Sequence, residues 1–479
     1  MTQTTDLREV IPERGRRTGG GGLALAVLLL GQFMSILDVN IVNVALPTMR
    51  ADLNASGAGL QLVAAGYVIS YAVLLITGAR LGGILGHRRL YHLGLAWFTV
   101  ASLACGLAPS TGTLVACRFV QGAGAAMLTP QVMSMIQRDF AGAARARALG
   151  IYSAVIAGGI VVGQAAGGLL VSVDVLGAGW RSVFLVNVPI GVALLLAGRR
   201  VLPRDETAHR SLPLRAELDL PGLLTLAPAV LLLVVPLIMG HELGWPAWGW
   251  ASLAASAAFA AAFTAVERRV AAGGGRPLIS PRVLRAPLLL PACVAIVFAP
   301  ASWATFLFTT TLHLQGDLRM SPLESGLAFV PCVTAFGLVG LNWQRLPARW
   351  HRLAVPAGFT VAGAGYLFVG PLAGGGLAYE ALTVVIGFGL GVMPIIMTTA
   401  LRHVPPGDAA DASGLLLTVL QLAQVIGIAT AGTLFLTLSE SGGSTRHAEY
   451  GTGWALAGMV LLGAVCALPL ARGRAGARP

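Results

Sequence analysis

The chain contains no lysine, so all 32 of its basic residues are arginine. That absence removes every phosphate-binding loop that pairs a glycine-rich turn with a lysine, and with it an ATPase site of that kind. Charge of either sign is scarce, at 11% of 479 residues, where a soluble domain carries about a quarter. A bigger core does not explain a deficit of that size. Only five cysteines occur, Cys105, Cys117, Cys293, Cys332 and Cys466. All five sit inside apolar runs with no metal-ligand spacing, and read as small packing residues rather than as disulfides or ligands. Histidine–carboxylate metal spacing is missing too. The sequence gives no reason to expect an enzyme, a metal or a cofactor. Alternating strands of about ten residues, the mark of a membrane barrel, are also lacking.

What is present is apolar. Hydrophobic residues make up 56% of the chain and the mean hydropathy is +0.78. Apolar stretches of about 20 residues recur from end to end between short arginine-bearing loops, the pattern of an all-α integral membrane bundle of many helices. Spans are expected near 23–46, 58–79, 90–108, 112–136, 146–171, 181–201, 219–240 and 248–267, then near 286–312, 322–344, 353–372, 377–400, 410–437 and 452–471. Arg14, Arg16 and Arg17 precede the first run as they would in a signal peptide, but that run is long enough to span and continues into Asp38-Val39-Asn40 with no small-residue cleavage site.

The net charge of +12 would suggest nucleic acid in a soluble protein. In a bundle it has a topological reading, because basic residues collect in cytoplasmic loops. The two tails and the even-to-odd loops hold most of the arginines, among them Arg88, Arg89, Arg145, Arg204, Arg282 and Arg472. The opposite loops hold Arg50, Arg181, Arg319 and Arg446, and Arg118 lies within a span. An even count of fourteen spans therefore puts both termini in the cytoplasm, with the protein expected in the plasma membrane as a monomer in its lipid bilayer. The lack of lysine and the 62 glycines read as the coding bias of a GC-rich bacterial genome.

The chain also repeats itself. Ala148-Leu149-Gly150 resembles Ala412-Ser413-Gly414, and at the same offset Gly163 matches Gly427 and Gly168 matches Gly432. Two homologous six-span halves are expected, a transporter architecture. The division is a tail at 1–22, an N-terminal bundle at 23–201, a linker with two additional spans at 202–285, a C-terminal bundle at 286–471 and a tail at 472–479. The stretches Arg199–Arg215 and Ala271–Arg276 are the connectors of the inserted pair.

Buried polar residues are the informative ones, since each costs several kcal/mol unless paired or hydrated. Asp38, inside the first span with Asn40 and Asn43 nearby, is the one carboxylate expected deep in a span. Such a group can take up and release a proton or hold a cation. Arg118 is the other intramembrane charge. At 1.5 Å per residue the two fall roughly 22 and 21 Å from the inner face, a similar depth that allows pairing, whether static or moving. Gly159, Gly163 and Gly167, four apart, form a face that a neighbouring helix can approach. Thr305, Thr309, Thr310, Thr311, His313 and Gln315 cluster at one span end, with Thr418, Gln421, Gln424, Tyr67 and Tyr71 elsewhere. Neutral polar groups beside aromatic faces suit an amphipathic organic ligand better than an inorganic ion, although each alone reads first as interhelical glue.

These residues resemble a known family. Leu37-Asp38-Val39-Asn40-Ile41-Val42-Asn43-Val44-Ala45-Leu46-Pro47 is similar to the first-span motif of the fourteen-span drug:proton antiporters of the major facilitator superfamily, which usually has threonine at the place of Asn40. Arg118-Phe119-Val120-Gln121-Gly122-Ala123-Gly124 resembles its fourth-span motif, whose arginine is implicated in proton transfer, and Trp180-Arg181-Ser182-Val183-Phe184-Leu185-Val186-Asn187-Val188-Pro189 resembles the entry to span six. Ser321-Pro322-Leu323-Glu324-Ser325-Gly326-Leu327 carries the likeness into the second half. Leu81-Gly82-Gly83-Ile84-Leu85-Gly86-His87-Arg88-Arg89 is similar to the loop 2–3 motif, with Gly82, Gly86 and Arg88 in gating places. It has Gly83 and Ile84 where the family has an aspartate and an arginine that help latch the halves. In span five Gly163-Gln164 stands where the family has Gly-Pro. The resemblance implies alternating access and export of an amphipathic organic compound against protons, with Asp38 as carrier, Arg118 as its modulator, and Gln121 among the cavity residues. An importer or facilitator of the same fold, or a binding or sensor protein that lost its gate, are the alternatives.

Overall fold

The computed structural model describes residues 21–174, 177–205, 219–273, 275, 277–279, 281–402, 404, 409–442 and 444–472. Most of both expected tails, residues 206–215 of the arginine-rich connector, and Arg276 lie outside them. Every element among the described residues is helical. A bilayer leaves no water for backbone groups, and a helix satisfies its N–H and C=O groups within one segment.

The helices are α1 Gly21–Leu53, α2 Gly57–Leu85, α3 His87–Gly106, α4 Thr111–Asp139 and α5 Gly142–Val173, then α6 Gly179–Val201, which opens on a tight three-residue turn. The inserted pair is α7 Leu220–Met239 and α8 Ala247–Ala272. There follow α9 Leu289–Gln315, α10 Pro322–Asn342 and α11 Ala348–Leu367. The chain ends on α12 Leu377–Leu401, α13 Ala412–Ser441, widened by a π turn at Ile428–Gly432, and α14 Thr445–Cys466. Eleven of the helices among the described residues are long and apolar enough to cross a membrane. The other three, α3, α4 and α11, are helical where spans are expected, but arginine, histidine and glutamine dilute α3 and α4, and the apolar part of α11 is only Leu353–Leu367.

Several boundaries differ from the sequence reading, and the differences matter. Helix α1 passes through Pro47 to Leu53 instead of ending near 46, and α14 begins at Thr445 instead of 452. A span estimate stops where polarity starts, whereas a helix continues until its backbone runs out of partners. Glu449 and Glu267 are consequently buried helix residues, at 2% and 4% exposure. Asp38 is thus not the lone carboxylate enclosed by the bundle.

The repeat is visible atom by atom. A Cβ on Gly163 would lie 3.2 Å from the carbonyl of Leu37 on α1, and the same addition to Gly427 would run into the carbonyl and Cα of Ala301 on α9. Residues 37 and 301 are offset by the same interval as the two glycines, so α5 packs on α1 as α13 packs on α9. Gly159 meets Ile36 and Gly167 meets the Ile41 carbonyl, which completes the α5 face. The other repeated glycines turn outward from these pairs. Gly168 abuts Pro322 and Leu323 on α10, and Gly432 abuts Gln61 on α2.

Hydrogen bonds that bridge α1–α6 and α9–α14 collect at one end of the molecule, where α1 finishes and α2 starts. Gln315 donates to the Val44 carbonyl at 2.9 Å, Gln61 donates to Ile428 at 3.2 Å and accepts from Thr433 at 3.2 Å, and Leu323 N donates to Ser172 at 3.1 Å. The inserted pair lies beside α2 at that seam. Glu242, between α7 and α8, accepts the Ala58 N–H at the start of α2 at 2.6 Å. The close α13–α9 contact yields a test. Gly427→Val should lower stability by about 1–3 kcal/mol through overpacking, read as an earlier melting midpoint in detergent. Gly458→Ala, at a position with nothing within 4 Å of the added carbon, should leave the midpoint in place.

Candidate functional site

Asp38 and Arg118 are both fully buried and form an ion pair, Arg118 Nη1 donating to Asp38 Oδ2. Their depths in α1 and α4 match, and both helices point their polar residues to the same interior. Neither charge is left to the pair alone. Asp38 Oδ1 accepts from Gln121 Nε2 at 2.7 Å and from Asn187 Nδ2 at 3.0 Å. Gln121 also donates to Ser102 Oγ at 2.8 Å, and its carbonyl oxygen accepts from Arg118 Nη1 at 2.7 Å. That pattern fixes which end of the amide is which. Arg118 Nε donates to the Val63 carbonyl at 3.2 Å, and the guanidinium carbon lies 4.7 Å from the centre of the Tyr67 ring and 5.6 Å from that of Phe184. Five helices, α1, α2, α3, α4 and α6, thereby contribute to one charge cluster.

Two atoms of the cluster remain open. Arg118 Nη2 and Asn187 Oδ1 are buried without a hydrogen-bond partner among the described residues. The guanidinium thus has spare donor capacity while holding the carboxylate, which suits a group that exchanges partners. Asn187 and Ser102 went unrecognised in the sequence as site residues. Asn187 had a signal, since it stands inside the motif at the entry to the sixth span, but Ser102 had none, being one small polar residue in an apolar run.

The remaining expected residues separate into groups. Tyr67 joins the cluster: its ring faces Arg118, its hydroxyl bonds Ser35 Oγ at 2.8 Å, and it stacks on Tyr71 with ring centres 6.1 Å apart. Asn40 donates to its own helix at Ile36, 2.8 Å, while its Cβ packs against Gly163. Asn43 is buried on the same helix. In the second half the polar residues lie apart from the charge cluster. His313 is engaged at both ring nitrogens, by Thr445 Oγ1 and the Ala373 carbonyl, each at 2.7 Å. Gln315 ties α9 to α1, and Gln421 and Gln424 bond each other at 2.6 Å. Thr309 is fully buried with an unpartnered hydroxyl.

At the junction of α2 and α3, Gly86 has φ of 97°, a conformation glycine adopts without penalty. A side chain there would strike Asp205, and one on Gly82 would strike Gln131. Asp205, just past α6, accepts the backbone N–H groups of Arg88 and Arg89 at 2.9 and 3.0 Å and lies 3.8 Å from Arg138 of α4. Arg88 itself donates to the Arg199 carbonyl at 2.6 Å. A carboxylate therefore sits on the positive end of α3, brought from the connector and not from position 83. Gly83 faces open space and Ile84 is buried.

The helical bundle has counterparts among known proteins. Residues 28–428 match the model of the Major Facilitator Superfamily. A probable actinorhodin transporter of Streptomyces coelicolor is 37% identical over 87% of this chain and 73% of its own. A cephamycin export protein of Amycolatopsis lactamdurans is 37% identical over 91% and 88%, and a tetracenomycin C resistance and export protein of Streptomyces glaucescens is 32% identical over 86% and 75%. The crystal structure of a bacterial homologue of the human lysosomal transporter Spinster, inward-facing and occupied, superposes with a TM-score of 0.67 at 16% identity, over 95% of this chain and 97% of that one. That likeness speaks for the fold. By the extent of the match and the identity with its relatives, the chain belongs to the Major Facilitator Superfamily.

Proposed function

We propose that the protein exports an amphipathic organic compound, an antibiotic or a related secondary metabolite, across the plasma membrane in exchange for protons. Relatives sharing about a third of their residues with this chain are named as a probable actinorhodin transporter, a cephamycin export protein and a tetracenomycin C resistance and export protein, and the reading of substrate class rests on them. The proton half of the proposal rests on the charge cluster. An enclosed Asp38 held by one arginine and two amides, with a free donor still on that arginine, is a carboxylate whose charge depends on where Arg118 points. While the pair is intact the guanidinium stands against the carboxylate. Movement of Arg118 away from it would leave the carboxylate dependent on a proton.

The architecture proposed with it is fourteen spans, two six-helix halves around the inserted α7–α8 pair, with both termini in the cytoplasm. Helices α3, α4 and α11, which fill the two gaps in the run of apolar spans, support that count, and the matched α1–α5 and α9–α13 contacts support the halves. With this orientation the bonded end is the outer one, so the conformation described is closed toward the outside. The Gln121, Tyr67 and Asn40 side chains would border the substrate path, and Asp205 would supply on the cytoplasmic side the negative charge that Gly83 lacks.

In vesicles, Asp38→Asn should abolish substrate-driven proton movement, and it should cost about 3–5 kcal/mol of stability because Arg118 loses its carboxylate partner. Adding Arg118→Gln should restore most of that stability but no proton coupling. A folded Asp38→Asn variant that exchanges at the wild-type rate would make Asp38 structural. Asp205→Ala should cost about 1–2 kcal/mol by uncapping α3 and speed labelling of cysteines on the cytoplasmic side, with Gly83→Asp plus Ile84→Arg reversing part of the effect. Unchanged labelling in both would remove Asp205 from the gate. Finally, single cysteines at positions 380 and 446 should react from outside intact cells and one at 204 should not, and the opposite result would invert the orientation.

A further inference from the structure

The inserted pair carries chemistry unconnected with Asp38. Asp219 begins α7, where its Oδ1 accepts the Gly222 N–H at 3.0 Å, and Glu267 lies on the last turns of α8. Both are almost wholly buried, at 2% and 4% exposure. Each also reaches the connector that leads to α9: Asp219 Oδ2 accepts the Leu278 N–H at 2.8 Å and Glu267 Oε2 accepts the Ile279 N–H at 2.6 Å. The remaining oxygen, Glu267 Oε1, is enclosed and receives no N–H or hydroxyl donor among the described residues. The two groups close over Gly222, where a Cβ would lie 2.6 Å from Glu267 Oε1 and 2.7 Å from Asp219 Oδ2.

Two carboxylate oxygens in contact repel unless something positive lies between them. Among the described residues no ion pair reaches either acid. Arg80 of α2 donates to the Pro277 carbonyl of the same connector. Arg268 and Arg269 follow Glu267 on α8 itself. We propose that Asp219 and Glu267 form a second proton-binding site, holding one proton between them, and that this proton closes a clasp on the connector between the two halves.

The mechanical consequence follows from the packing. With both acids gripping its backbone, the connector buries Leu278 (1% exposed) in a small apolar cluster with Ile76 of α2 and Phe263 of α8. Helix α2 also packs on α13 of the other half. A proton on the pair therefore ties the inserted helices, the connector and helix α2 together. Its loss would set two charges against each other, push the acids apart and free the connector. On the orientation proposed above this site faces the cytoplasm, so alkalinity there would release the clasp. The test is independent of that orientation.

The test uses the full chain in detergent, with the five native cysteines removed and Leu278→Cys introduced, alone or with Glu267→Gln. Glutamine keeps the acceptor for Ile279 and supplies a permanent donor toward Asp219, so it mimics the protonated pair. Maleimide labelling rates are compared at each pH from about 6 to about 9. Dividing the rate in the Glu267 background by the rate in the Glu267→Gln background cancels the ionisation of the thiol itself. The ratio should rise on the order of tenfold across the range, and an Asp219→Asn background should flatten the rise as well. Folding of each variant is checked by size exclusion. A ratio that stays constant with pH overturns the proposal. So does a ratio that changes on swapping sodium for potassium or adding a chelator at fixed pH, since a metal ion would then be what bridges the acids.

Discussion

Burying a carboxylate and a guanidinium where no water reaches them costs more than almost any other arrangement a helix bundle contains, and the fold around Asp38 is organised by that cost. Truncating either partner leaves the other uncompensated, so five helices each supply part of a solvation shell made of protein. Gln121 bridges the two charges, Asn187 and Ser102 extend the network to α6 and α3, and the rings of Tyr67 and Phe184 cover the cation. The same shell allows movement. Arg118 keeps one donor unspent and Asn187 one acceptor, so a second arrangement of the network can be reached without first breaking every bond of this one.

How much of this was legible in the sequence depends on the kind of interaction. Spans are statements about solvent, and composition carries them well. The glycine repeat is a statement about close backbone approach, and it was readable because only glycine permits contacts such as that of Gly427 with Ala301. The depth of Asp38 and Arg118 followed from helix rise. Partners are another matter. Ser102 is an unremarked residue until α3 lies against α4, and Asp205 belongs to a connector with no evident task until it is found at the N-terminus of α3. Read along the chain, Gly83 is a missing acid. Only geometry supplies an acid arriving from 122 residues further along.

The enclosed carboxylates Glu267 and Glu449 escaped notice for a different reason. A span drawn from hydropathy ends where charged residues begin, so Glu449 fell in a loop and Glu267 at the very end of its span. In this chain α8 runs to Ala272 and α14 starts at Thr445. Both acids then turn into the protein. Burial of a charged residue is decided by which way its helix faces, and the sequence contains that only through the neighbours that pack on it.

The two halves share their packing but not their chemistry. The α5–α1 and α13–α9 pairs meet through backbone contacts at the same repeat offset, so they can rock by the same motion. Asp38, however, has Ser302 as its counterpart at that offset, a fully buried serine whose hydroxyl donates to its own helix at Ala299, 2.9 Å. The position that would mirror Asp38 is thus uncharged. An asymmetry of this kind has a physical use. If both halves carried an enclosed ion pair, each state of the transporter would have to satisfy two desolvated sites at once, and strain in one would be set against strain in the other. With the enclosed ion pair confined to α1–α6 among the described residues, the second half buries the acid Glu449 but no paired charge, and His313 and the Gln421–Gln424 pair serve there as hydrogen-bonding groups. On the proposed mechanism one half then carries the ion pair, and the other supplies the surface it packs against.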